Sequence, residues 1–126
     1  MPRESKSAAR FGALAERKAR ERYDLEPDHS PWNDARTEDG EPVEIKATML
    51  NRSSGQRGRF RIFEDYHRRL ESADGIYIFV AYRAAGRGIQ IARMKSVRAE
   101  NIKVDWYGAG GHRQSRQCKI PPSEIF

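Results

Sequence analysis

The segment Glu41–Leu50, EPVEIKATML, alternates apolar and charged residues with the period of a strand, and that period constrains the chain more than any other feature. Val43, Ile45 and Ala47 fall on one face, while Glu44 and Lys46 fall together on the other. Upstream, Glu38-Asp39-Gly40 is a turn signal, so the strand is the second arm of a hairpin. The register of that hairpin decides what stands beside Glu44. With a three-residue loop and Gly40 in the left-handed conformation, Thr37 pairs with Glu41 and Asp34 lies opposite Glu44. A two-residue Asp39-Gly40 turn would instead oppose Asp34 to Ile45 and disperse the cluster. The three-residue register is expected, and it gathers Asp34, Glu44 and Lys46 on one face.

The remaining chain supplies a scaffold for this hairpin. Ser7 to Tyr23 has a helical period, with Ala8, Phe11, Gly12, Ala15, Ala19 and Tyr23 on one side and Arg10, Arg17 and Glu21 opposite. Glu16 sits at the edge of the apolar stripe, so its carboxylate points along the seam between helix and body. Pro27 and Pro31 forbid a continued helix and predict a loop into a short strand. After Leu50, NRSSGQRGR reads as a loop, and the period predicts a second helix from Phe60 to Ser72. GIYIFVAYR is a buried strand, GIQIARM its hairpin partner across AAGRG, and a short helical turn follows near Ser96 to Asn101. IKVDWYG predicts a last strand, and GAGGHRQSRQCK a flexible basic tail. The expected order is α-β-β-α-β-β-β.

A length of 126 residues suits a single domain spanning 1–126. Lys and Arg number 24 against 18 Asp and Glu, a formal net charge of +6, which points to a polyanionic partner. Nucleic acid comes first and an anionic membrane surface second. No segment is apolar enough to span a bilayer, and MPRESKSAAR lacks a secretory apolar stretch, so a cytoplasmic location is expected. Cys118 is the only cysteine, and His29, His67 and His112 lack zinc-like spacing, which leaves no ligand set for structural zinc.

Two carboxylates held close repel unless a cation lies between them. Mg²⁺, with Mn²⁺ as substitute, usually binds through one or two carboxylates plus water and phosphate oxygens, which suits Asp34 and Glu44. Lys46 beside them would orient or help deprotonate an attacking water and neutralise charge on a phosphodiester, with Glu16 holding water from the helix side. Arg57, Arg59 and Arg61 follow directly and read as a clamp on a phosphate backbone. His112, Arg113, Arg116 and Lys119 read as a basic arm. Trp32, Trp106, Tyr66 and His67 read as packing residues. The solvated face of an edge strand is the plainer reading of Glu44 and Lys46, but it leaves Asp34 and the helix order unexplained.

The succession Glu16, Asp34, Glu44-Ile45-Lys46 resembles the PD-(D/E)XK nuclease superfamily. The helix GALAERKARERYDL and the strand VEIKAT are most similar to archaeal Holliday junction resolvases and related small DNA endonucleases, over about residues 7–93. The resemblance implies an α/β, restriction-endonuclease-like core: a central mixed β-sheet flanked by helices, with a C-terminal strand and tail at 102–126. It also implies Mg²⁺-dependent phosphodiester hydrolysis on branched or structured DNA, in recombination or repair. In it, Asp34, Glu44 and the carbonyl of Ile45 hold the metal and Lys46 lies near the water. A literal Pro-Asp stands at Pro27-Asp28, which makes Asp28 the rival first acid; the hairpin pairing favours Asp34. A symmetric homodimer would suit two cuts on a branched substrate. A nucleic-acid-binding protein that keeps the fold without the chemistry is the alternative.

Overall fold

The computed structural model describes residues 3–50, 58–109 and 112–126, with the backbone alone for 3–8, 29, 108–109 and 112–115. The elements run α1 (Arg3–Tyr23), β1 (Glu26–Ser30), β2 (Asn33–Arg36), β3 (Pro42–Met49), β4 (Phe60–Phe63), α2 (Glu64–Ser72), β5 (Ile76–Ala85) and β6 (Gly88–Arg98). A 3-10 turn (Ala99–Asn101), β7 (Tyr107–Ala109), β8 (His112–Ile120) and the single turn α3 (Pro122–Ile125) complete them. Five strands form a sheet in the order β1-β2-β3-β5-β6, mixed because β3 and β5 are parallel while the other neighbours are antiparallel. This is an α/β fold whose central mixed sheet is flanked by helices, in keeping with a restriction-endonuclease-like core. Among the described residues no helix is long and apolar enough to cross a membrane.

Both faces of the central sheet are covered, and the sequence shows why. β5 is apolar without alternation, as a strand buried on both sides must be. Ile78, Val80 and Tyr82 turn toward α1, where they meet Val43, Ile45, Ala15 and Ala19. The two alanines are fully buried and, having only methyl side chains, let the helix lie close on the sheet. Tyr77 and Phe79 turn the other way, against Leu70 of α2 and Phe60, Ile62, Cys118 and Ile120 of a second sheet ordered β4-β8-β7.

Several elements differ from the sequence reading. The expected loop at Glu26–Ser30 is edge strand β1, where Pro27 is tolerated because an edge position needs fewer ladder donors. The expected helix from Phe60 splits into β4, with Phe60 and Ile62 inward and Arg61 outward, and α2 from Glu64. β4 owes its state to antiparallel pairing with β8, Phe60 opposite Ile120, a partner too distant in sequence for any local period to show. The expected basic tail is that partner, β8. Ile102, Val104 and Trp106 do pack inward alternately, but 102–106 has no ladder partner among the described residues, and the strand there is Tyr107–Ala109.

Helix α1 ends in a left-handed turn at Asp24 (φ 55°), with the Leu25 N–H donating to the Arg20 carbonyl at 2.9 Å and Leu25 packing into the core. An aspartate in this conformation is strained by its Cβ. Asp24→Gly is therefore expected to stabilise the fold by about 0.5–1 kcal/mol. Chemical denaturation of the two proteins checks this: the midpoint should rise at unchanged slope.

Candidate active site

The β2–β3 hairpin sets the register. Thr37 N–H donates to the Glu41 carbonyl at 3.0 Å, Gly40 N–H donates to the Thr37 carbonyl at 2.9 Å, and Gly40 has φ 84°. The loop is thus the three-residue form closed by a left-handed glycine. Ala35 then faces Val43 and Arg36 faces Pro42, and the same register continued places Asp34 opposite Glu44. Beyond Ala35 the ladder yields to a side chain, for Asp34 Oδ2 accepts the Ile45 N–H at 2.9 Å. Backbone N–H and C=O of one strand residue leave on the same side, so the Ile45 carbonyl also points toward β2.

Glu44 lies between this aspartate and Lys46. Its carboxyl is hydrogen-bonded to that of Asp34, its side chain is 12% exposed, and Lys46 Nζ is 3.6 Å away. Burial, the bond to Asp34, and the charges of Asp34 and Glu16 push its pKa up to about 9, against the pull of Lys46. Glu44 consequently retains a proton at neutral pH. Glu16 belongs to α1, where it is 4.0 Å from Arg20, and the site feels its charge. The rival Asp28 holds β1 to β2: its Oδ2 accepts from Arg36 Nε at 2.6 Å and Asn33 Nδ2 at 3.2 Å.

The site's burial comes from β5 and α2. Tyr77 is the β5 partner of Glu44. Its ring stacks on His67, their polar atoms 2.8 Å apart, and Trp106 closes over the imidazole. Burial lowers the His67 pKa, and burial together with the charge of Glu44 raises that of Tyr77, so both stay neutral. Thr48 follows Lys46 on the same face, and Gly58 backs onto it so closely that a Cβ would overlap Thr48 Oγ1 and the Met49 carbonyl.

The site fits a hard divalent cation in one specific respect: two carboxyls are pressed together, hydrogen-bonded to one another, in a half-buried place. The candidate donors are Asp34, Glu44 and the Ile45 carbonyl. Among the described residues no group of three His, Cys, Asp or Glu side chains is arranged to hold a metal.

The basic residues separate into different environments. Arg57 lies outside the described residues, and for His112 and Arg113 only the backbone in β8 is described. Arg61 and Lys119 are direct cross-strand partners on β4 and β8. Arg116 makes two bonds of 2.7 Å to Glu64, which also accepts from Arg68 at 2.6 Å. The Arg116 bond, more than that from Arg68, holds the Glu64 carboxyl below its usual range. Arg59 lines an open groove with Arg83, Leu50 and Pro121. Arg83 is absent from the sequence reading, though its signal was there: it follows Tyr77, Phe79 and Ala81 on the face of β5 that turns to α2.

The sequence profile described as the PD-(D/E)XK nuclease superfamily domain matches residues 1–126. No curated protein and no solved structure matches the chain.

The proton on Glu44 has a measurable consequence. An unfolded glutamate titrates near 4.5 and the folded one near 9, so between these values the folded state binds a proton the unfolded chain has lost. Stability of the metal-free protein is therefore expected to fall as pH rises from 4.5 toward 9. Glu44→Gln should flatten that slope and raise the melting temperature at pH 8 by several degrees. Thermal melts of both proteins in EDTA across the range check it.

Proposed function

We propose that this chain, which belongs to the PD-(D/E)XK nuclease superfamily, is a metal-dependent endonuclease that hydrolyses phosphodiester bonds in branched or otherwise structured DNA. The observation that carries the reading is the Asp34–Glu44 carboxyl pair with Lys46 at 3.6 Å. A pair of half-buried acids costs stability, and a fold has no packing reason to keep it.

Asp34, Glu44 and the Ile45 carbonyl would hold Mg²⁺, or Mn²⁺ in its place, which when bound supplies Lewis acidity at the phosphate and a more acidic water. The chain's own groups do the rest. Lys46 projects from the same strand face as Glu44 and is 24% exposed, so its ammonium can meet a phosphate oxygen from solvent and offset developing charge. Glu16 orients water from the α1 side. Tyr77 and His67 exclude solvent from beneath the acids, which strengthens every charge interaction above them. Arg59, Arg61 and Lys119 contact the DNA backbone, with Arg57, His112 and Arg113 on neighbouring segments. Arg116, already bonded to Glu64, acts chiefly to tie β8 to α2.

Cleavage of junction, flap, linear duplex and single-stranded DNA, each with and without Mg²⁺ or Mn²⁺, tests the reading. Metal-dependent products are expected on branched substrates, and their absence on every substrate would leave a DNA-binding protein without chemistry. Lys46→Ala should lower the cleavage rate by at least about 100-fold while leaving DNA affinity near wild type. A loss of binding in parallel with the loss of rate would refute that role.

The backbone contacts have a separate readout. Replacing Arg59, Arg61 and Lys119 with alanine should weaken DNA binding and reduce the slope of log affinity against log salt by about 1 for each cation removed. Titrations at several salt concentrations decide it, and an unchanged slope would return these residues to a purely solubilising role.

A further inference from the structure

We propose that the shallow pocket between Trp32 and the second half of α2 takes an unpaired base from the DNA strand bound at Asp34 and Glu44, with the Trp32 indole as its stacking platform. The proposal deepens the nuclease reading and rests on it for the position of that strand. The pocket is lined by Trp32, Arg68, Arg69, Ser72 and Ala73, one aromatic ring with two guanidinium groups and no carboxylate. Trp32 is half-buried, with part of its indole packed against the core cluster that contains Tyr77 and Phe79 and the rest left to the pocket. Ser72 and Ala73 are small, which keeps the cleft open beside the ring.

Position and charge both favour a nucleotide. Trp32 precedes Asp34 by two residues, so their Cα atoms lie within about 7 Å. That is the scale of one or two nucleotides, since charges recur every ~3.4 Å along each strand of a duplex. The pocket and the acids also share the side of the central sheet that α2 covers, because Trp32 packs on the Tyr77 cluster and Tyr77 is the strand partner of Glu44. Arg69 is exposed and has no ion pair among the described residues, and Arg68 keeps a 67% exposed side chain while bonded to Glu64. An aromatic face flanked by cations binds bases through stacking without reading their identity. Paired bases inside a duplex cannot present a face to it, whereas the unpaired nucleotides of a single strand or a branch point can.

The test measures binding alone, in EDTA, with the full chain and two probes, oligo-dT and a blunt duplex of equal length. The sequence has two tryptophans, so Trp106→Phe leaves Trp32 as the sole indole reporter. Oligo-dT is expected to quench its emission, and the duplex to quench it little. Trp32→Ala should weaken oligo-dT binding by about 10-fold or more while duplex affinity holds, and Trp32→Phe should retain most of the affinity. Because Trp32 also covers the core, the quench and the Trp32→Phe comparison carry the test if Trp32→Ala does not fold. Absence of quenching, or an equal loss on both probes, overturns the proposal. Protein that quenches with oligo-dT but cleaves nothing keeps the pocket and loses the nuclease reading; cleavage without quenching does the reverse.

Discussion

The turn at Glu38–Gly40 governs which groups can meet, because side chains in a strand alternate with a period of two and a slip of one residue sends every one of them to the other face. Gly40 can hold φ 84° without a clash, which closes the loop at three residues and leaves Asp34 across from Glu44. A shorter turn would bring Asp34 to Ile45 and send Glu44 to face a different neighbour. The acid pair, the Ile45 N–H taken by Asp34 and the placement of Lys46 all follow from that one backbone angle and its two hydrogen bonds.

The register alone would leave the acid pair open to solvent. What changes its chemistry is the cover supplied by β5 and α2. Tyr77 lies beside Glu44 in the sheet, and its bond to the buried His67 satisfies the hydroxyl without bringing in solvent. Desolvation is consequently the largest cause of the raised Glu44 pKa, ahead of the interaction with Asp34. A cation entering here would meet donors already gathered and partly dehydrated, and it would replace a proton on Glu44 rather than a shell of water. In this way the apolar run of β5 conditions the acid that β3 carries, Glu44.

The hairpin that gathers Asp34, Glu44 and Lys46 was more legible in the sequence than β4 and β8, for a physical reason. Asp34, Gly40, Glu44 and Lys46 lie within one hairpin, so turn chemistry and strand parity suffice to bring them together. β4 and β8 are different. FRIF satisfies a strand period and the start of a helical one about equally, and only Ile120, Lys119, Cys118 and Gln117 on the far end of the chain decide between them. The same pairing turns a basic tail into a strand. Trp32 illustrates a third kind of difficulty: as a packing residue it is correctly read, since it does cover the core, yet its pocket exists only because α2 comes to lie beside it.

Formal charge overstates what a polyanion can use, and β8 shows how. Arg116 and Lys119 are both cations on one strand, but Glu64 takes the first in a two-point bond, so its charge is spent holding β8 against α2. Lys119 stands instead directly across from Arg61. Like charges opposed in a ladder destabilise the sheet that carries them, and the repulsion is relieved by an anion placed over both. A phosphate at that position would meet two cations at once, whereas at Arg116 it would have to compete with a carboxylate already in place. The pull such a surface could exert on a polyanion therefore depends on which cations β4 and β8 leave facing outward, and not on the net charge of +6 alone.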